Sequence, residues 1–190
     1  MRRRAKGQRM TASSDAVVPY ERLVVGVSSS ALFDMRESDA VFRSEGVEAY
    51  ARYQEDNLEN VLSPGSAMPF IRRLLTLNNI SPPTRLVDVV IMSRNSAQTG
   101  LRVMRSVQTL GLDVQGACFV EGANPYKYIE AYRMKLFLSA NPDDVREAVQ
   151  AGHAAGKVLP YQGADVDSDN ELRVAFDFDG VIADDASERI

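Results

Sequence analysis

Short apolar runs alternate with longer amphipathic ones along most of the chain. Leu23-Val24-Val25-Gly26-Val27 reads as a buried strand. Residues 37–57 are helical in composition, with an interruption at Gly46. Ser63-Pro64 has the form of an N-cap and first helical position, opening a helix with Met68, Ile71, Leu74 and Leu75 on one face. A turn-rich stretch through Asn78, Asn79, Ser81, Pro82 and Pro83 leads to a second buried strand over 86–92. The next helix carries Val103, Val107 and Leu110 and stops at Gly111. Residues 117–120 predict a third strand, 126–132 a short helix, and 135–138 a fourth strand. Asn141-Pro142 begins a helix with Val145, Ala148, Val149 and Gly152 inward, and Lys157-Val158-Leu159 predicts a fifth strand. His153, beside Gly152, reads as part of that helix's C-terminal cap. Repeated βα units predict an α/β, Rossmann-like fold: a mostly parallel sheet with helices on both faces, and sites beyond the carboxyl ends of the strands.

The ends of the chain have a different composition. Residues 1–20 open with five basic side chains in ten positions and no apolar h-region, predicting a disordered basic leader; a nucleic-acid arm or a targeting segment are the competing readings. Residues 161–171 read as an acidic linker. From Asp165 to Ile190 there are nine acids against two arginines. The whole chain, 190 residues with net charge −4, is expected neither to span a membrane nor to take nucleic acid as its main partner. Cys118 is the single cysteine, inside an apolar run, which excludes an intrachain disulfide and suits a buried thiol in a reducing compartment.

The strongest chemical signal is Val174-Ala-Phe-Asp177-Phe-Asp179-Gly180-Val-Ile. Residues 172–176 predict a strand. Its carboxyl end presents Asp177 and Asp179, two residues apart and so on one side, and Gly180 lets the backbone turn away. Phosphoryl transfer through an aspartyl-phosphate needs one carboxylate to attack phosphorus and a second to handle the leaving-group proton. Two anions facing a phosphate also call for a cation, and Mg²⁺ suits oxygen ligands. A calcium loop or a solvated acidic turn is the competing reading. Val25 to Phe33 also lies on Val174 to Ile182 at a constant offset, with Ser28 and Ser30 where the later segment has Asp177 and Asp179. The expected organisation is therefore a first α/β unit over 21–160 without its own nucleophile, and the first strand and loop of a second, catalytic unit over 172–190.

The Asp-x-Asp strand resembles the first motif of the haloacid-dehalogenase-like superfamily. Four segments, VSSSALFDMRESDAVFRSEGVEAY, MSRNSAQTGLRV, YRMKLFLSANPDDVREA and FDFDGVIADDASERI, resemble the cytosolic 5'-nucleotidase family I in the family's order. That resemblance implies a Mg²⁺-dependent cytoplasmic enzyme removing the 5'-phosphate of nucleoside monophosphates such as AMP. Asp177 would be the nucleophile and Asp179 the acid/base, both of them on the metal. The resemblance also implies a chain longer than this one, so a truncated member is expected. Superfamily members supply a Ser or Thr at a strand end, a Lys and an acidic pair after the first motif. Upstream candidates are Ser93, Lys127 or Lys135, and Asp143-Asp144, although the two acids fall in a first helical turn that favours them without metal. Ser93, Arg94, Asn95 and Lys127 are the expected substrate contacts, Arg94 suiting a phosphate. A non-catalytic nucleotide-binding fragment and a phosphatase of another small phosphate ester are the alternatives. Self-association is an open expectation.

Overall fold

The computed structural model describes residues 21–161 and 171–176. Five strands form one sheet: β1 (Leu23–Ser28), β2 (Val87–Ser93), β3 (Gly116–Phe119), β4 (Leu136–Ser139) and β5 (Ala155–Lys157). Every pairing is parallel and the order is β3-β2-β1-β4-β5. Val25 pairs with Val89 on one side of β1 and with Leu136 on the other. The chain thus winds outward through β2 and β3, then returns across β1 to wind the other way. The crevice between β1 and β4 is the switch point at which open parallel sheets receive ligands.

Period-two alternation decides which side chains face which layer. Val25, Val27, Val87, Val89 and Ile91 form one core with α1 (Ser29–Leu32), α4 (Met68–Thr76) and α5 (Leu101–Thr109). Val90, Met92 and Phe137 point the other way, onto Ile129, Met134 and, from α6 (Pro142–Gln150), Ala148. Helices therefore cover both faces, as the pattern predicts. The long helical stretch is the hairpin α2 (Arg36–Glu45) and α3 (Val47–Asp56). Gly46 at φ +84° makes the joint, a conformation costly for any residue with a Cβ.

Several boundaries differ from the sequence expectations. Ser63-Pro64 does not start a helix. The Ser63 carbonyl accepts from Asp34 N–H at 2.9 Å, Pro64 bridges Phe33, and α4 begins at Met68 with its proline in the first turn. Residues 125–128 make one 3-10 turn, opened by the Asn124 side chain accepting the Tyr126 N–H, and turns follow it in place of the longer helix expected. β5 starts two residues sooner than expected, pairing Ala155 with Phe137, and Leu159 beyond it is 68% exposed. Val149 faces out at 53% exposure; Asp144, not Val149, takes the inner position on α6. Gly152 at φ +85° ends α6, and His153 contributes its backbone N–H to the Ala148 carbonyl, as a cap does.

Residues 171–176 form no strand. Leu172 packs on the main core, while Val174 and Phe176 are 51% and 69% exposed. An apolar run becomes a strand only when a neighbour accepts its backbone hydrogen bonds, and this run pairs with no described strand. The basic leader, residues 162–170 of the linker, and Asp177 with Asp179 lie outside the described residues.

Candidate active site at the carboxyl edge of the sheet

The carboxyl ends of β1, β2 and β4 converge on a cleft of about 1580 Å³. β1 runs straight into the one-turn helix α1, so Ser28, Ser29 and Ser30 stack at its lip. The Ser28 hydroxyl accepts the Ala31 N–H at 3.1 Å and, across the switch point, the Ala140 N–H at 3.3 Å. Its oxygen lies 3.3 Å from that of Ser30. Ser29 and Ser93, both buried, share a hydrogen bond of 3.0 Å that ties β1 to β2. Ser93 also accepts the Asn95 N–H at 3.2 Å.

One buried carboxylate at this edge is paired with an arginine. Arg94 Nε donates to Asp144 Oδ1 at 2.9 Å, and a second guanidinium N–H reaches the same oxygen. Ser139, at the end of β4, donates to the other oxygen at 3.2 Å. Asp144 is only 3% exposed, and these bonds are what make a buried carboxylate tolerable. Asp143 instead faces solvent and pairs with Arg146 at 2.8 Å. Opposite, the Tyr50 hydroxyl from α3 donates to Asn95 Oδ1 at 2.8 Å, and burial holds that phenol above its ordinary pKa. The Asn95 amide nitrogen is buried with no acceptor. Arg36 hydrogen-bonds Asp34 on the cleft wall and holds that carboxyl below its usual value.

Of the expected substrate contacts, Ser93, Arg94 and Asn95 line the cleft together, with Arg94 already engaged by Asp144. Lys127 is exposed on the 3-10 turn and is not part of the lining. Lys135 sits at the amino end of β4, 2.9 Å from Glu21 and at the opposite edge of the sheet. Lys157 does line the cleft, and sequence reasoning missed it. Placing the fifth strand at 157–159 put this lysine at the strand's start, whereas it is the last residue of β5. Cys118 is half-buried, with its thiol pKa raised by burial. Among the described residues, no three His, Cys, Asp or Glu side chains are grouped to hold a metal ion. Asp144 is committed to Arg94. Hydroxyls crowd the strand ends, Asp34, Asp39 and Glu121 stand on the same lining, and the two acids expected to hold Mg²⁺ lie outside the described residues.

Human cytosolic 5'-nucleotidase 1B is 35% identical to this chain over 175 residues. The match covers 90% of the chain and 29% of that protein, so the chain spans less than a third of the relative's length. No solved structure gives a significant match. A family model described as 5'-nucleotidase matches residues 16–190, from ahead of β1 through the Asp177–Asp179 segment. The chain belongs to the 5'-nucleotidase family.

Proposed function

We propose that the protein serves as a cytoplasmic 5'-nucleotidase, hydrolysing nucleoside 5'-monophosphates such as AMP through a phospho-aspartate at Asp177. The observation that carries this is the family match running unbroken through Asp177 and Asp179. In this reading an Asp177 carboxylate oxygen attacks phosphorus as the bond to the 5'-oxygen breaks. Asp179 gives its proton to that leaving oxygen, then takes one from the water that hydrolyses the aspartyl-phosphate, releasing phosphate and restoring Asp177. Asp177 and Asp179 are the residues that would hold Mg²⁺, which offsets the negative charge gathering on the transferred group. Ser93 and Asn95, both on the cleft lining, are the nucleotide contacts in this reading. Arg94 and Lys127 complete the set taken from the sequence, the first through its fork beside Asp144, the second from outside the lining. No described helix is long and apolar enough to cross a membrane.

Phosphate release from AMP with Mg²⁺ tests the proposal. Asp177→Asn should lower the rate by about a thousandfold or more. A variant retaining a tenth of the rate would end the phospho-aspartate reading. Ser28 and Ser30 favour a second reading, nucleotide binding without turnover, because hydroxyls stand at the carboxyl end of β1 where the later segment has acids. A wild-type protein that binds AMP but releases no phosphate would establish that reading instead.

A further inference from the structure

We propose that Tyr50 is a positioning residue: its hydroxyl fixes the Asn95 amide in one orientation and so keeps the amide nitrogen as a donor for the bound nucleotide. The ligand's identity rests on the proposed function, in which Asn95 is a nucleotide contact. The residue that orients this contact lies 45 positions away along the chain, on α3.

Asn95 is held at every polar group but one. Its backbone N–H donates to the Ser93 hydroxyl at 3.2 Å, and its carbonyl accepts the Glu121 N–H at 3.0 Å. Its side-chain oxygen accepts the Tyr50 hydroxyl proton at 2.8 Å. The side-chain nitrogen remains, buried and without an acceptor, on a residue of the cleft lining. Among the described residues Gln54 Nε2 is the other such nitrogen, and Gln54 is not on that lining. The two ends of a carboxamide differ by a half-turn about its last bond, so the hydrogen-bond partner decides which atom faces which way. With the phenol donating to the oxygen, the nitrogen is committed to the other side. Buried donors are nearly always paired, and a ligand oxygen would pair this one.

Tyr50 is itself fixed. It is buried, with its ring edge-on to Phe42 at 5.8 Å. One turn further along α3, Gln54 Oε1 accepts from Arg102 at 3.3 Å, and the same guanidinium reaches the Asn60 carbonyl at 2.9 Å. Burial raises the phenol pKa, so the hydroxyl stays a donor at neutral pH. A second clamp acts on the Asn95 backbone. Glu121, whose N–H meets the Asn95 carbonyl, has φ +47°, a conformation costly for a residue with a Cβ. Gly122 follows at φ +82° and donates its N–H to the Arg94 carbonyl at 2.6 Å. Strain of this kind persists where the surroundings impose it, and it gathers at functional sites. The strained turn and the buried phenol thus hold one residue, the first by its backbone and the second by its side chain.

Two measurements test the assignment. In protein isotope-labelled at asparagine nitrogen, the Asn95 side-chain amide signals are identified by their loss in Asn95→Ala. Tyr50→Phe keeps the ring and deletes only the hydroxyl, and it should shift and broaden those signals with no ligand present. Calorimetric titration with AMP in EDTA gives the consequence for binding. Affinity should fall about fivefold in Tyr50→Phe and about tenfold in Asn95→Ala. The double variant should lose about tenfold, not the roughly fiftyfold of independent effects, because Tyr50 acts through Asn95. A merely structural tyrosine would lower the melting temperature and leave the two losses to multiply. Amide signals unmoved by Tyr50→Phe, or losses that multiply in the double variant, would overturn the assignment. AMP bound equally by wild type and Tyr50→Phe would overturn this inference alone. A wild-type protein with no affinity for AMP would overturn the nucleotide of the proposed function, while amide signals that still move with Tyr50→Phe would uphold the orienting bond.

Discussion

The two edges of the sheet use similar residue types to opposite ends. At the amino edge every charged group named here finds a partner. Asp88 receives Arg22 at 3.2 Å and Arg85 at 2.6 Å, and Arg85 also bonds Asp113 through both its side chain and its carbonyl. Lys135 pairs with Glu21, and the Asn78 side chain serves Leu86 N–H, Val87 N–H and the Val87 carbonyl. At the carboxyl edge two pairs, Arg94 with Asp144 and Arg36 with Asp34, are closed, while the Asn95 nitrogen and Lys157 stand without protein partners among the described residues. A closed polar network stabilises and excludes ligands; an open one keeps donors available for them. The difference leaves free donors at the carboxyl edge, where the nucleotide is proposed to bind.

The largest effect is expected where the carboxyl edge is built most tightly. A Cβ on Gly65 would lie 2.6 Å from the Ala31 carbonyl oxygen and 2.8 Å from backbone atoms of Phe33, none of which can rotate away. Gly65→Ala should cost about 3 kcal/mol in urea unfolding. A cost below about 1 kcal/mol would show that the cleft wall is softer than its geometry implies.

A sharper comparison removes one acid from each edge. Asp144→Ala strips the buried partner from Arg94, whose side chain is 39% exposed and partly rescued by water. We expect a loss of about 2–3 kcal/mol. Asp88→Ala, on a carboxylate 16% exposed and held by two arginines, should cost about 1 kcal/mol, since both guanidiniums can turn to solvent or to Asp113. Equal losses would erase the distinction between the edges.

The smallest effect concerns pH. The Asp34 carboxyl is held below its usual value of 3.8, chiefly by the side-chain hydrogen bond from Arg36. A lowered folded-state pKa contributes stability above the unfolded-state value and loses it as pH falls through the folded one. Asp34→Asn should therefore leave a slightly flatter stability curve below pH 4, by a few tenths of a kcal/mol at most on so exposed a pair. A steeper curve in the variant would reverse the sign.

Much of this arrangement was legible in the sequence because it depends on local pattern. The runs of Val and Ile in β1 and β2 mark strands buried on both faces, and Gly46 and Gly111 mark helix ends. Ser93 could be named as a strand-end hydroxyl from the run preceding it. The limits fell where a partner distant along the chain decides the outcome. Arg94 meets Asp144 across 50 positions and Asn95 meets Tyr50 across 45, so neither pairing leaves a periodic trace. Three-residue β5 is set by its pairing with Phe137, Leu138 and Ser139, which hid Lys157 at its end. Ser63-Pro64 carries the composition of a helix start, yet the loop after α1 captures its backbone first.

The direct measurement is a crystal structure of the protein grown with AMP in EDTA. The account predicts the nucleotide at the carboxyl edge of the sheet, with its phosphate within about 3 Å of the Ser93 hydroxyl. AMP found only at the amino edge of the sheet, with the serine-lined cleft holding water, would contradict it.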